Sequence, residues 1–221
     1  MLEAVLWILN TGAQWHMLPL YYPNYKTIHR RFHNWCRQDV FRDMLCALAN
    51  ELREEGGLDE SECFIDGPFA SAKGGGEKIG PTRRGKGVKI MGIVGRHGLP
   101  LAVSTHADNH YEVTLVQLTF DFYMIEAKPE KLIGDKAYDS DDLHDELRRQ
   151  GVEMIAPHRG NRKRTTQDGR SLQRYKRRWI VERFFAWIQW NRRLITRWEY
   201  YPQNFLGFVH LTCAFVLLNR F

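Results

Sequence analysis

The sequence predicts an α/β fold, a mixed sheet flanked by helices and preceded by a small all-helical unit. Three observations predict it. Apolar residues recur at helical spacing through the first 55 positions. The period then shortens to apolar runs at 63–65, 88–94 and 101–105, with the turn His97-Gly98-Leu99-Pro100 between the last two. Beyond Val113, helical and strand-like stretches alternate, the pattern of parallel strands joined by crossovers.

Taken in order, residues 1–10 read as an apolar helix ended by Asn10-Thr11-Gly12, and Pro19 and Pro23 impose an irregular link. A second helix starts near Lys26 with Ile28, Phe32 and Trp35 on one side and His29, Arg30, Arg31, His33 and Arg37 around the rest. A third spans 40–53 through Phe41, Met44, Leu45, Leu48 and Leu52, and Gly56-Gly57 closes a helical unit, 1–57, ahead of a second domain, 58–221. There, three consecutive strands are expected, the last two as a hairpin. A glycine-rich, basic loop, 71–87, separates the first two; glycine there implies mobility and close approach to a phosphate backbone. A helix at 113–123, a strand at 131–133, a helix at 140–149, a strand at 153–156 and a long helix over 175–193 follow.

Apolar residues make up 43% of the chain and aromatics 13%, enough to fill a core and to exclude disorder beyond short loops. Cys36, Cys46, Cys63 and Cys213 stand apart with no C-x-x-C pair, and read as small buried hydrophobes of a reducing compartment. No cationic leader precedes the first apolar run, and the run 205–218 is shorter than a membrane span. These features predict a soluble, cytoplasmic protein. Its net charge of +6 is unevenly placed: between Arg159 and Arg197, thirteen arginines and lysines meet only Asp168 and Glu182. Such segregation is the footprint of a phosphate-backbone partner.

Glu182 is the one acid in the segment YKRRWIVERFFAWIQWNRR, 175–193. Asp66 ends the run Glu62-Cys63-Phe64-Ile65, and Asp135 ends Lys131-Leu132-Ile133-Gly134. In an open sheet, functional side chains collect at strand carboxyl ends. The order hairpin, helix, strand, helix, strand, helix is that of a ribonuclease-H-like fold, in which two strand ends and one helix bring three carboxylates together. That set suits two Mg²⁺ ions about 3.5–4 Å apart, one activating the attacking oxygen and one stabilising the leaving oxygen. Taken singly, each acid has a plainer reading: a turn at Asp66-Gly67-Pro68, a cap at Asp135, a surface pair of Glu182 with Arg178. Tyr175, Arg178, Glu182 and Gln189 share one helical face, with Ile180, Phe184, Trp187 and Ile188 opposite.

The pattern Tyr175-x2-Arg178-x3-Glu182, with FIDG at Asp66 and GDKAYDS at Asp135, resembles the DDE transposases of bacterial insertion sequences, in the IS-five branch of the IS4-like superfamily. TGAQWHMLP at 11–19 and TIHRRFHNWCRQDVF at 27–41 resemble that branch's helical DNA-binding preface. The resemblance implies an RNase-H-like core, catalysis and metal binding by Asp66, Asp135 and Glu182, and Mg²⁺ dependence with Mn²⁺ as a substitute. It further implies strand cleavage and transfer at element ends, and two or more subunits assembled on double-stranded DNA in the bacterial nucleoid. DNA contacts are expected from Tyr175 and Arg178, from Arg174, Lys176, Arg177, Arg192 and Arg193 beside them, from Lys86 and Lys89, and from Arg30 and Arg31. Where the family usually has a lysine seven residues after the glutamate, this chain has Gln189; Arg192 and Arg193 lie one turn on. The family's first helix usually begins earlier, so the chain reads as a shortened copy.

Two further readings remain. A decayed transposase would bind DNA without cutting and act as a regulator, which Gln189 favours. A metal-dependent nuclease or hydrolase of another kind would use His106, Asp108 and His110, which alternate like ligands on a strand. His29 and His33 have metal-pair spacing but lie among arginines, and Asp139 rivals Asp135 as second ligand. No activated serine or cysteine motif is present.

Overall fold

The computed structural model describes residues 1–82, 85–107, 112–126, 128–160, 162 and 169–220. Three helices come first: α1 (Leu2–Thr11), α2 (Tyr25–Arg37) and α3 (Val40–Glu54). Asn24 starts α2 by accepting the Lys26 N–H at 2.9 Å, a side-chain cap for one orphan donor. Five strands follow: β1 (Glu62–Asp66), β2 (Phe69–Ala72), β3 (Gly80–Thr82), β4 (Gly85–Val94) and β5 (Pro100–Ala107). Then come α4 (Glu112–Phe120), β6 (Lys131–Ile133), α5 (Asp141–Arg149), β7 (Glu153–Ile155), α6 (Gly169–Leu172), α7 (Trp179–Gln189), β8 (Thr196–Arg197) and α8 (Pro202–Leu218).

β4 pairs antiparallel with both β1 and β5, while β6 is parallel to β1 and β7 to β6. The core order is therefore β5-β4-β1-β6-β7, an RNase-H-like sheet. Strands β2, β3 and β8 extend it at the far end of β4. None of these three short strands has an alternating pattern; β4 supplies the pairing of β2 and β3, and β2 that of β8. The expected three-strand run is thus five.

The expected glycine-rich loop is clasped rather than loose. The Lys73 N–H donates to the Arg197 carbonyl at 3.0 Å, and the buried Arg197 guanidinium donates to the carbonyls of Glu199 at 2.9 Å and Tyr200 at 3.0 Å. At Gly76, whose φ is +99°, a Cβ would lie 2.1 Å from the Tyr200 carbonyl oxygen. Glycine here lets two backbones of this chain touch. Arg83 and Arg84 in that loop lie outside the described residues.

α8 is apolar on most sides and sits at the centre of the helical layer. Phe32 of α2 stacks on Phe208 at 4.3 Å, and His33 Nδ1 is 2.9 Å from Asn204 Oδ1. His29 packs edge-on against Trp15 at 4.9 Å, so the two histidines serve packing. Buried residues from Ala4 to Leu217 form one continuous core. Among the described residues no helix is long and apolar enough to cross a membrane.

The expected long helix over 175–193 is three pieces: a 3-10 segment Gln173–Arg177, α7, and a 3-10 turn Arg192–Leu194. Ile180, Phe184, Phe185 and Ile188 bury the inner face of α7 against β1 and β4. Trp187, expected inside, is exposed and flanks Arg183, whose guanidinium lies between it and Trp179 at 4.8 and 4.7 Å. Close approach of α7 depends on Gly92, opposite Asp66 in register, where a Cβ would meet Phe185 at 2.9 Å. Gly92→Val is expected to cost about 1–3 kcal/mol through overpacking. A melting curve unchanged from wild type would contradict that packing.

Candidate active site

Parallel pairing of β1 with β6 fixes the first two carboxylates. Cys63 pairs with Leu132 and Phe64 with Ile133; the same register carried two residues further sets Asp66 beside Asp135. Both therefore leave the carboxyl ends of neighbouring strands, which run about 4.8 Å apart. Asp66 accepts its own Gly67 N–H on Oδ1 at 2.8 Å. Asp135 caps the 3-10 turn Lys136–Tyr138, accepting the Ala137 N–H on Oδ1 at 2.8 Å. One oxygen of each carboxylate is thus spent on orientation, and the Asp135 Oδ2 has no hydrogen-bond partner among the described residues.

Glu182 rises from the first turn of α7 with its side chain 55% exposed. Arg178 joins it to the strands: one terminal nitrogen is 2.8 Å from Asp66 Oδ2 and the other 3.2 Å from Glu182 Oε1. Burial opposes the Arg178 charge, but Asp66, then a hydrogen bond with Tyr175 and lastly Glu182, hold its pKa above the ordinary guanidinium value. The local pair between Glu182 and Arg178 exists, yet it is one arm of a bridge that ends on Asp66. A guanidinium stands between two of the acids, and among the described residues no three His, Cys, Asp or Glu side chains are drawn together as a metal cage. The donors are nonetheless all carboxylate oxygens with a cation already lodged among them, which suits a hard divalent ion. Arg178→Ala is expected to destabilise the protein by about 1–3 kcal/mol. Equal melting temperatures in EDTA would refute the bridge.

Asp139 is not a rival ligand. Its side chain is 1% exposed and accepts from the Arg159 N–H at 2.8 Å, from the Arg162 guanidinium and from His158 Nδ1 at 3.1 Å. Burial alone would raise its pKa; these donors outweigh that and hold it below the usual carboxylate range. Arg159 also donates to the carbonyls of Lys136 at 3.1 Å and Ala137 at 2.7 Å. Together they lock the turn that begins with Asp135.

A contact that sequence reasoning missed lies at the other end of β1. Glu62, on the same strand face as Asp66, accepts Arg174 Nε at 2.7 Å and pairs with Arg177. The signal available was the alternation Glu62, Phe64, Asp66. Of the residues expected to meet DNA, Arg30, Arg31, Lys86, Lys176 and Arg192 are exposed, while Arg174, Tyr175, Arg177 and Arg178 are half-buried. Lys89 is buried in β4. Arg193 is buried too, pairing with Glu199 at 2.6 Å and donating to the Ala13 carbonyl at 2.8 Å, so it holds the fold rather than a phosphate. The trio His106, Asp108 and His110 is described only at His106, whose Nε2 is 2.8 Å from Ser104 Oγ; the other two lie outside the described residues, as do Lys163, Arg164 and Asp168.

Residues 57–217 match the family model described as transposase DDE domain, and residues 1–45 match that of the putative transposase of IS4/5 family. The chain is 31% identical over 160 residues to a putative transposase for insertion sequence element IS402 of Burkholderia cepacia, covering 67% of this chain and 72% of that protein. A 50-residue stretch is 36% identical to the uncharacterized protein y4sN of Sinorhizobium fredii, 23% of this chain and 40% of that one. Among solved structures, the piggyBac transposase synaptic complex with hairpin DNA superposes with a TM-score of 0.52 at 9% identity, over 71% of this chain. The chain spans 45% of the length of that transposase, and the likeness is one of fold. With the matched domain covering most of its length and carrying Asp66, Asp135 and Glu182, the chain belongs to the DDE transposases of the IS4/5 type.

Proposed function

We propose that the protein cuts DNA at the ends of an insertion sequence and joins the freed 3′ ends to target DNA, using Asp66, Asp135 and Glu182. What supports this reading is the parallel pairing of β1 with β6, observed as far as Phe64 and Ile133, two residues short of Asp66 and Asp135, together with the arginine that ties Glu182 to Asp66. The three carboxylates would hold Mg²⁺, or Mn²⁺ in its place, which when bound supplies Lewis acidity at the phosphate and a lowered pKa at water. The Gly67 and Ala137 amides keep two of the acids aimed, so little reorganisation is left to the reacting state. Arg178 holds Glu182 and Asp66 in reach of each other and offers a guanidinium, a fork that matches a phosphate, beside them.

The helical unit, 1–57, presents Arg30 and Arg31 outward from α2 and is proposed as the part that grips DNA beyond the cut. Lys86, Lys176 and Arg192 add exposed positive charge. Gln189, exposed at the end of α7, leaves the position of the family's usual lysine uncharged. Assembly of two or more copies on a pair of ends belongs to the same proposal.

A labelled duplex carrying the element's end, incubated with the protein in Mg²⁺ or in EDTA, tests the reading. Metal-dependent release of a 3′-hydroxyl end at the element boundary is expected. Tight, salt-sensitive binding with no cutting would replace it with the regulatory reading, in which the chain binds DNA and does no chemistry.

A further inference from the structure

An open cleft of about 480 Å³, lined by Glu62, Arg96, Gln173, Arg174 and Arg177, lies at the amino end of β1. Glu62 is largely buried beneath two arginines: its Oε1 accepts a hydrogen bond from Arg174 Nε, and its Oε2, which has no hydrogen-bond partner, forms an ion pair with Arg177. Each guanidinium has five N–H donors, and these contacts use a minority of them; the rest have no acceptor among the described residues. Arg96 completes the rim at about half exposure, with only a loose pair to Asp59 at 3.7 Å. Three guanidinium charges thus meet two carboxylates, and one positive charge is left unbalanced over an open cleft.

We propose that this cleft is a second phosphate subsite, which seats a backbone phosphate of the DNA whose reacting phosphate lies at Asp66. The inference rests on the transposase reading and adds to it a binding site away from the three carboxylates. Glu62 and Asp66 stand on one face of β1 four residues apart, about 13 Å at the strand rise, close to the axial rise of about four nucleotides. Arg174, Arg177 and Arg178 follow that face in the same order, from Glu62 to Asp66. Planar, forked donors preorganised by a buried carboxylate suit a phosphate, which accepts two parallel hydrogen bonds from a guanidinium. Glu62 on this account is a positioning residue, and Arg96 is the contact that owes nothing to the Glu62 clamp.

That independence makes Arg96 the position to test. Binding of a fluorescent element-end duplex, with Ca²⁺ replacing Mg²⁺, is measured across a range of NaCl for wild type, Arg96→Ala and Arg148→Ala. Arg148 lies on α5, pairs with Asp145 and removes the same charge elsewhere. Arg96→Ala is expected to bind about 5–10-fold more weakly and to lower the slope of log K against log salt by about 1, at an unchanged melting temperature. Arg148→Ala is expected to match wild type. A single neutral methylphosphonate within about four nucleotides of the cut should reproduce the loss in wild type and add nothing in Arg96→Ala. Equal affinity and slope for Arg96→Ala and wild type would remove the subsite, as would equal losses in Arg96→Ala and Arg148→Ala, or a methylphosphonate loss that is the same in wild type and Arg96→Ala. Failure of the wild type itself to bind DNA in a salt-dependent way would instead sink the transposase reading beneath it.

Discussion

Glu182→Gln is expected to abolish metal-dependent cleavage, lowering the rate by on the order of 10³-fold or more, while leaving DNA affinity close to wild type. The substitution keeps the shape of the side chain and one acceptor oxygen but removes the charge that a divalent ion needs. Loss of about 4 kcal/mol of transition-state stabilisation corresponds to that factor. Glu182 is more than half exposed and sits on the outer side of its helix, so the fold has little stake in it. Cleavage and fluorescence anisotropy on the same duplex separate the two effects. A parallel fall in affinity and melting temperature would make Glu182 a structural partner of Arg178 and nothing more. Asp66→Asn is a harder test to read, because Asp66 also anchors Arg178.

Arg193→Ala is expected to be the most damaging of the arginine substitutions to stability, at about 3–5 kcal/mol. Arg193 and Glu199 are 3% and 2% exposed, 2.6 Å apart, and the same guanidinium reaches the Ala13 carbonyl at 2.8 Å. Removing it leaves Glu199 charged and buried with its main partner gone, and frees the segment after α1 from the turn Arg192–Leu194. Denaturant unfolding should show a midpoint shifted well below wild type. Arg192→Ala, one residue away and exposed, should leave that midpoint unchanged and weaken DNA binding instead. A stable Arg193→Ala variant with impaired DNA binding would restore Arg193 to the DNA-facing set.

Elements with a strong period were legible in the sequence: α2 and α3 from their apolar faces, and β4, β5 and β6 from their runs. The placement of Asp66 and Asp135 at strand ends was legible as well, since each closes such a run. What escaped was set by partners distant in the chain. β2, β3 and β8 are two to four residues long and exist because β4, and β2 in turn, supply their pairing. The 175–193 segment breaks at Arg178, beside arginines paired to Glu62 and Asp66 more than a hundred residues away, contacts that no local propensity encodes. Arg193 and Arg192 are indistinguishable as letters; only the position of Glu199 and the turn at Ala13 separates a buried clamp from an exposed cation. Asp135 is favoured over Asp139 in the sequence because it adjoins the strand; the donors from Arg159 and Arg162 that occupy Asp139 come from a distant loop and are not legible there.

The central claim, that Asp66, Asp135 and Glu182 share metal ions, is tested most directly by Mn²⁺ binding followed by electron paramagnetic resonance on the protein bound to its element-end duplex. Wild type is expected to take up about two Mn²⁺ per site, and Asp66→Asn, Asp135→Asn and Glu182→Gln are each expected to lose at least one while still binding the duplex. Unchanged Mn²⁺ uptake in all three variants would contradict the account.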